Sequence, residues 1–295
     1  MPERGGHLPP NKRYPPAHDG AAGCKEGRVS SIIYGPVPSW RLGKSLGVDL
    51  LPGDGKTCSF DCIYCQLGRT ARHLAQRASF VPLDTVQREL ERVRGVAADY
   101  ATFAGMGEPT LASNLGEAIR LARAVLGLPV AVLTNSSLMA REDVREDLAW
   151  ADVVVAKLDA PNERLFRRIN RPVVDCRLQD IVRAISLFRA EYGGKLALEM
   201  MFVPANKGSA TEMAAMAREL SPDEVQINTP LRPCAVAPLT AEEIAAIRGQ
   251  FKDLPILMVY EGARPVVMPL DVGETVRRRP AAGLHGGEPS RTGKE

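Results

Sequence analysis

Apolar runs rich in β-branched residues alternate along this chain with amphipathic stretches whose apolar positions recur at helical spacing. SLGVDLL (45–51), YATFAG (100–105), PVAVLT (129–134), DVVVAKLD (152–159), KLALEMMFV (195–203) and EVQINT (224–229) predict six strands. The stretches around DTVQRELERVRGVA (84–97), NLGEAIRLARAVLG (114–127), REDVREDLAWA (141–151), LQDIVRAISLFRAEYG (178–193), ATEMAAMAREL (210–220) and AEEIAAIRGQF (241–251) predict the helices that follow them. Strands such as DVVVA are apolar at consecutive positions, as when both faces are covered, and the connections are long enough for helical crossovers. The expectation is an α/β domain: a partial (β/α)6 TIM-like barrel of parallel strands, with a doubly wound flat sheet as runner-up.

The pattern fails at both ends. HLPPNKRYPPAHDG and RRRPAAGLHGGEPSRTGKE lack apolar periodicity, so the division expected is a disordered arm over 1–28, a core domain over 29–270 and a disordered tail over 271–295. Arg277, Arg278 and Arg279 read as a solvated basic run in that tail, with a phosphate site as the alternative. With 295 residues, 45% of them hydrophobic, the chain can build a substantial core. A net charge of +3 neither demands nor excludes a nucleic-acid partner.

TCSFDCIYCQLG, Thr57 to Gly68, changes the picture. Cys58, Cys62 and Cys65 crowd one loop directly after the first strand, where barrel and doubly wound folds both carry their functional groups. Such density points to a shared ligand, and a disulfide would leave one thiol over. Three thiolates on a four-iron cubane leave one iron open, whereas an electron-carrying cluster is usually closed by four cysteines. The open position is the one a substrate fills, as at a catalytic metal. Cys24, Cys176 and Cys234 stand singly and read as incidental thiols. A different class of protein keeps the cysteines without catalysis: a structural zinc site with His73 as fourth ligand.

Later strands turn polar near their ends: Thr134 and Asn135, Lys157 and Asp159, Glu199, Gln226 and Asn228. Residues two apart share a strand face, and buried ionic groups must pair or line a wet cavity. A polar lumen is expected. Arg41, Lys44, Lys56, Arg69 and Arg72 surround the cysteines in sequence, either offsetting an anionic cluster or as solvated surface charge. Arg171, in RRINRP, either holds an anionic substrate group or caps a helix.

Cys58-x3-Cys62-x2-Cys65, with Tyr64 before the last cysteine, resembles the signature of the radical S-adenosylmethionine (SAM) superfamily. The resemblance implies an iron–sulfur oxidoreductase whose cofactors are a [4Fe-4S] cluster and SAM, cleaved reductively to a 5'-deoxyadenosyl radical that abstracts hydrogen. By carry-over, the three cysteines ligate iron and Tyr64 lies against adenine. AGMGEPTL (104–111) resembles the family's glycine-rich turn, which gives Gly105, Gly107 and Glu108 the methionine ammonium and sets Asn135 and Asp159 near the ribose or methionine part. Lys157, Glu199 and Arg171 then fall to catalysis and substrate. GPVPSWRLGKSLGVDLLPGDGKTCSFDCIYCQLGRT and QINTPLRP resemble a bacterial branch related to the enzymes that build the wyosine base of tRNA, implying a possible RNA substrate, with a peptide or small metabolite as the alternative. The resemblance also implies an electron donor such as flavodoxin or ferredoxin. No run is long enough to span a bilayer and the beginning lacks a signal peptide's apolar stretch, so a cytoplasmic protein with reduced thiols is expected.

Overall fold

The computed structural model describes residues 31–280. One sheet holds the domain together. Its hairpin, β1 (Ile33–Ser39) and β2 (Gly43–Val48), is antiparallel, and β5 (Tyr100–Phe103), β6 (Val130–Thr134), β7 (Val153–Lys157), β8 (Lys195–Met201), β9 (Glu224–Asn228) and β10 (Ile256–Met258) continue it in parallel from β2. The sheet curls into a half-barrel, which confirms the partial barrel over the flat doubly wound sheet. A second, two-stranded sheet pairs β3 (Thr57–Cys58) with β4 (Arg72–His73) and closes the cysteine loop.

Helices α1 (Leu83–Arg92), α2 (Leu115–Leu126), α3 (Glu142–Leu148), α4 (Glu163–Ile169), α5 (Leu178–Glu191), α6 (Ala210–Leu220) and α7 (Ala241–Arg248) form the connections, and α8 (Val272–Arg278) ends the described chain. The amphipathic spacing is realised as expected: Val86 and Leu90 of α1, and Leu115, Ala118, Ile119 and Ala122 of α2, are fully buried against the sheet. Val154, Val155 and Ala156 are inaccessible, as the continuous apolar run required.

Three features depart from the pattern reading. β1 carries Pro36 and Pro38, residues confined to edges and bulges, and it is an edge strand with a register shift between Tyr34 and Val37. β10 has only three residues, too few for a visible run. α8 occupies the stretch expected to be disordered from 271 onward, and Arg278 is buried rather than solvated. The arm over 1–28, with Cys24, and the stretch 281–295 lie outside the described residues.

The open flank of the half-barrel is covered. Leu270 N donates to Gly35 O of β1 (2.6 Å), Gly35 N donates to Thr275 Oγ1 of α8 (3.0 Å), and a Cβ on Gly262 would lie 2.6 Å from Trp40 O. Segment 259–279 thus lies over the β1 edge. Arg278 fastens it: its Nε donates to Asp49 Oδ2 at 2.7 Å, its Nη2 to Ser31 O at 2.8 Å, and its carbonyl accepts Gln66 Nε2 at 2.9 Å beside the cysteines.

Candidate active site

The cysteine loop leaves the carboxyl end of β2 and folds through two consecutive turns, Cys65 N to Cys62 O (3.1 Å) and Gly68 N to Cys65 O (3.0 Å). Gly68 sits at φ +75°, a conformation glycine adopts without strain. The 169–172 segment clamps the loop from outside, Asp61 N and Ile63 N donating to Arg171 O and Ile169 O. Burial pushes the Cys58 thiol up to about 11 and the Cys62 thiol up to about 12. Neither ionises at neutral pH unless a metal displaces its proton.

Two amides reach the sulfurs. Asn135 Nδ2 is 3.5 Å from Cys58 Sγ and 2.9 Å from Ser59 Oγ, and Asn170 Nδ2 is 3.8 Å from Cys62 Sγ. Asn135 therefore touches the cysteine loop. Lys56 is buried and its Nζ has no hydrogen-bond partner. Burial alone would lower its pKa, but Cys65, Cys58 and Cys62 outweigh that and raise it. A buried cation set among the three cysteines, with no carboxylate paired to it among the described residues, fits an anionic iron–sulfur cluster. A zinc knuckle would need His73 as its fourth ligand, and His73 is exposed.

The GEP turn packs directly on this loop. Thr57 N donates to Met106 O at 2.8 Å and Glu108 N to Thr57 O at 3.2 Å. A Cβ on Gly107 would fall inside the Thr57 carbonyl and one on Gly105 inside the Asp49 carboxylate, so both glycines are required by close approach. Glu108 is held by the protein around it. Its carboxylate is buried and accepts from Thr110 N (3.1 Å), Thr110 Oγ1 (2.7 Å), Thr134 Oγ1 (2.7 Å) and Asn135 N (2.7 Å). Burial raises its pKa against these bonds. The side chain organises the turn, and it is the half-buried backbone at Gly105 and Gly107 that faces outward.

Asp159 is likewise engaged by protein. Its oxygens accept from Tyr64 OH, Asn170 Nδ2 (2.7 Å) and Met201 N (2.8 Å), with Lys157 Nζ 3.5 Å away. Tyr64 is thereby anchored under the Lys157 ammonium, which lies 5.1 Å from its ring centroid. Burial, then Asp159, drives the Tyr64 phenol well above its ordinary value, so it stays a donor. Glu199 binds Arg41 Nη1 (2.7 Å), Lys157 Nζ (3.6 Å) and Asn228 Nδ2 (2.6 Å). Burial opposes ionisation, but Arg41 and Lys157 hold the carboxyl at about 2.

Lys157, Glu199, Asn228, Tyr64 and Cys65 line one cavity of about 480 Å³. Of the strand-end residues expected to form a polar lumen, Lys157, Glu199 and Asn228 line it, whereas Thr134, Asn135, Asp159 and Gln226 do not, Gln226 being buried against Glu224 (2.8 Å). Arg171 is not there. It borders a different cavity of about 650 Å³ on the other side of Cys62 and Cys65, with Arg69 and Arg168, so it does not join Lys157 and Glu199. Arg41, read near the cysteines in sequence, instead reaches Glu199. Asn170, Arg232 and Arg264 were not legible as site residues, because no local pattern marks them, whereas Arg279 stood in the basic run.

A curled, mostly parallel sheet thus carries three thiols, a glycine-containing turn and a charged cavity at its carboxyl ends. The chain belongs to the radical SAM superfamily, whose family model matches residues 54–217. The cofactors of that superfamily are a [4Fe-4S] cluster and SAM. The UPF0026 protein MJ1312 of Methanocaldococcus jannaschii is 39% identical over 234 residues, covering 76% of this chain and 72% of that protein. A UPF0026 protein of Synechocystis, slr1464, is 39% identical over 202 residues, 68% of this chain and 76% of its own length. SuiB of Streptococcus suis, solved with bound SAM, superposes with a TM-score of 0.55 at 15% identity over 71% of this chain, a likeness of fold. The chain spans half the length of SuiB. Among the described residues no helix is long and apolar enough to cross a membrane.

Proposed function

We propose that Cys58, Cys62 and Cys65 hold the cluster and that SAM, bound at its open iron, is cleaved reductively to deliver a 5'-deoxyadenosyl radical into the inner cavity. Bound there, and given one electron by an external carrier, SAM would supply a hydrogen-abstracting carbon radical, with methionine and 5'-deoxyadenosine as its products. The observation that carries this reading is the convergence, at one barrel end, of three thiols, the Gly107 turn seated on Thr57, and a cavity shared by Cys65, Lys157 and Glu199.

The protein's own groups hold this arrangement. Asn135 and Asn170 donate toward sulfur, which stabilises thiolate character. Asp159 and Asn170 fix Tyr64, and through it the loop between Cys62 and Cys65. Gly105 and Gly107 present backbone for the methionine end of SAM in place of the Glu108 carboxylate. Lys157 and Glu199 are positioned to contact substrate. The outer cavity, with Arg69, Arg168 and Arg171 beside Cys62 and Cys65, is where an anionic face of a flavodoxin- or ferredoxin-type donor would dock.

The cover over the β1 edge favours a substrate small enough for the inner cavity: a metabolite, a peptide side chain, or a single RNA nucleotide extruded from its stack. Anaerobic reconstitution followed by reduction with dithionite tests the reading. Brown protein with about four irons per chain, converting SAM to 5'-deoxyadenosine and methionine, is expected. Colourless, zinc-replete protein that leaves SAM intact would overturn it.

A further inference from the structure

The inner cavity holds more positive charge than its carboxylates balance. Arg41, Lys157, Arg232, Arg264 and Arg279 line it, and Glu199 is the one acidic side chain among its described lining residues. That carboxylate is already engaged by Arg41, Lys157 and Asn228. Arg232, Arg264 and Arg279 form no salt bridge with any described residue; Arg264 Nη2 merely donates to Val259 O at 3.3 Å.

Two of these guanidiniums have buried nitrogens without partners. The Arg41 side chain is only 9% exposed, and although its charge rests partly on the Trp40 ring, 4.8 Å away, its Nε bonds nothing. Arg279 Nε is equally bare. Burial, then Arg279, Arg264 and Arg41, pulls the Arg232 guanidinium down to about 10. Cations crowded together with unsatisfied buried donors are costly, and an anion among them removes both costs at once. Guanidinium forks from separate segments suit the several oxygens of a tetrahedral, multiply charged group better than a single carboxylate.

We propose that Arg232, Arg264 and Arg279, together with Arg41, form a subsite for a phosphoryl group carried by the substrate. This rests on the reading of the cavity as the substrate chamber. The phosphoryl group belongs either to a free phosphorylated metabolite or to a nucleotide of RNA. Either would be anchored beside Lys157 and Glu199, fixing which of its hydrogens meets the radical.

The test is calorimetric titration of the anaerobically reconstituted protein with inorganic phosphate, with succinate as a carboxylate control. Arg232→Gln and Arg264→Gln each lower phosphate affinity about tenfold, as loss of one charge-assisted contact implies, while SAM affinity changes less than about twofold and succinate binds weakly throughout. Using two variants guards against one misfolding, and retained SAM binding reports the fold. Equal phosphate affinity in wild type and both variants would overturn the subsite. So would SAM affinity falling in parallel, since the arginines would then serve the cofactor. Total tRNA binding lost in the same variants assigns the phosphate to RNA, and tRNA binding unchanged while phosphate binding falls assigns it to a metabolite. Phosphate binding without 5'-deoxyadenosine formation sinks the radical reading and leaves the anion site standing; the reverse result removes the subsite alone.

Discussion

Replacing Arg278 by methionine removes the charge that neutralises Asp49. Both residues are 1% exposed, and the pair links three parts of the molecule: Asp49 directly follows β2 ahead of the cysteine loop, Gly105 packs on its carboxylate, and Arg278 belongs to α8. Arg278→Met leaves Asp49 with the Leu51 N–H (3.0 Å) as its donor, an anion enclosed without a counterion. Breaking a buried pair in this way costs about 3–5 kcal/mol. For a domain of this size each kcal/mol lowers Tm by about 2–4 °C, so a fall on the order of 10 °C is expected in anaerobic thermal unfolding followed by circular dichroism. The double variant Asp49→Leu/Arg278→Met, which removes both charges, recovers most of the loss. A solvated arginine would shift stability by no more than about 0.5 kcal/mol. A single variant losing less than about 1 kcal/mol, or a double variant no more stable than the single, would refute the reasoning.

Cys58→Ala, Cys62→Ala and Cys65→Ala each lose cluster absorbance, iron and SAM cleavage, whereas Cys176→Ala and Cys234→Ala keep all three; iron analysis after reconstitution decides. Gly107→Ala drives a methyl into the Thr57 carbonyl, so the turn shifts off the cysteine loop and SAM affinity falls more than tenfold, or about 1.4 kcal/mol, with normal iron content; unchanged affinity returns the turn to a purely local role. Glu199 has its folded pKa lowered to about 2 from 4.5. The stability it contributes, about 3 kcal/mol, is therefore fully present above pH 4.5 and lost as pH falls toward 2. The stability gap between wild type and Glu199→Gln should close over that window in denaturant titrations, and a gap independent of pH contradicts the assignment.

The strands from β5 to β9 were legible because burial on both faces forces continuous apolar runs, a signal no loop imitates. β1 was hidden by the same prolines that make it a tolerable edge. The cysteines were legible because chemistry fixes their spacing within one loop. Gly105 and Gly107 were legible as a turn, but the reason for them, the Asp49 and Thr57 surfaces against their missing side chains, is tertiary. Glu108 and Asp159 looked like ligands in sequence, and each accepts several hydrogen bonds from the protein. An acidic residue at a strand end serves a turn as readily as it serves a ligand, and only its partners distinguish the two.

Arg41 and Arg171 show why the remainder could not be read. Both are arginines in short loops near functional elements, and each is plausible as an anion holder. Arg41 comes from the β1–β2 turn and Arg171 from the loop after α4, so each position depends on how far the sheet curls and on what covers its open flank. The curl brings Arg41 to Glu199. Segment 259–279, in which the pattern marks no strand or helix, brings Arg264 to the same cavity and, immediately after α8, Arg279. The cation cluster is therefore a property of closure: no strand or helix contains it, and it forms only where the first and last elements of the barrel meet.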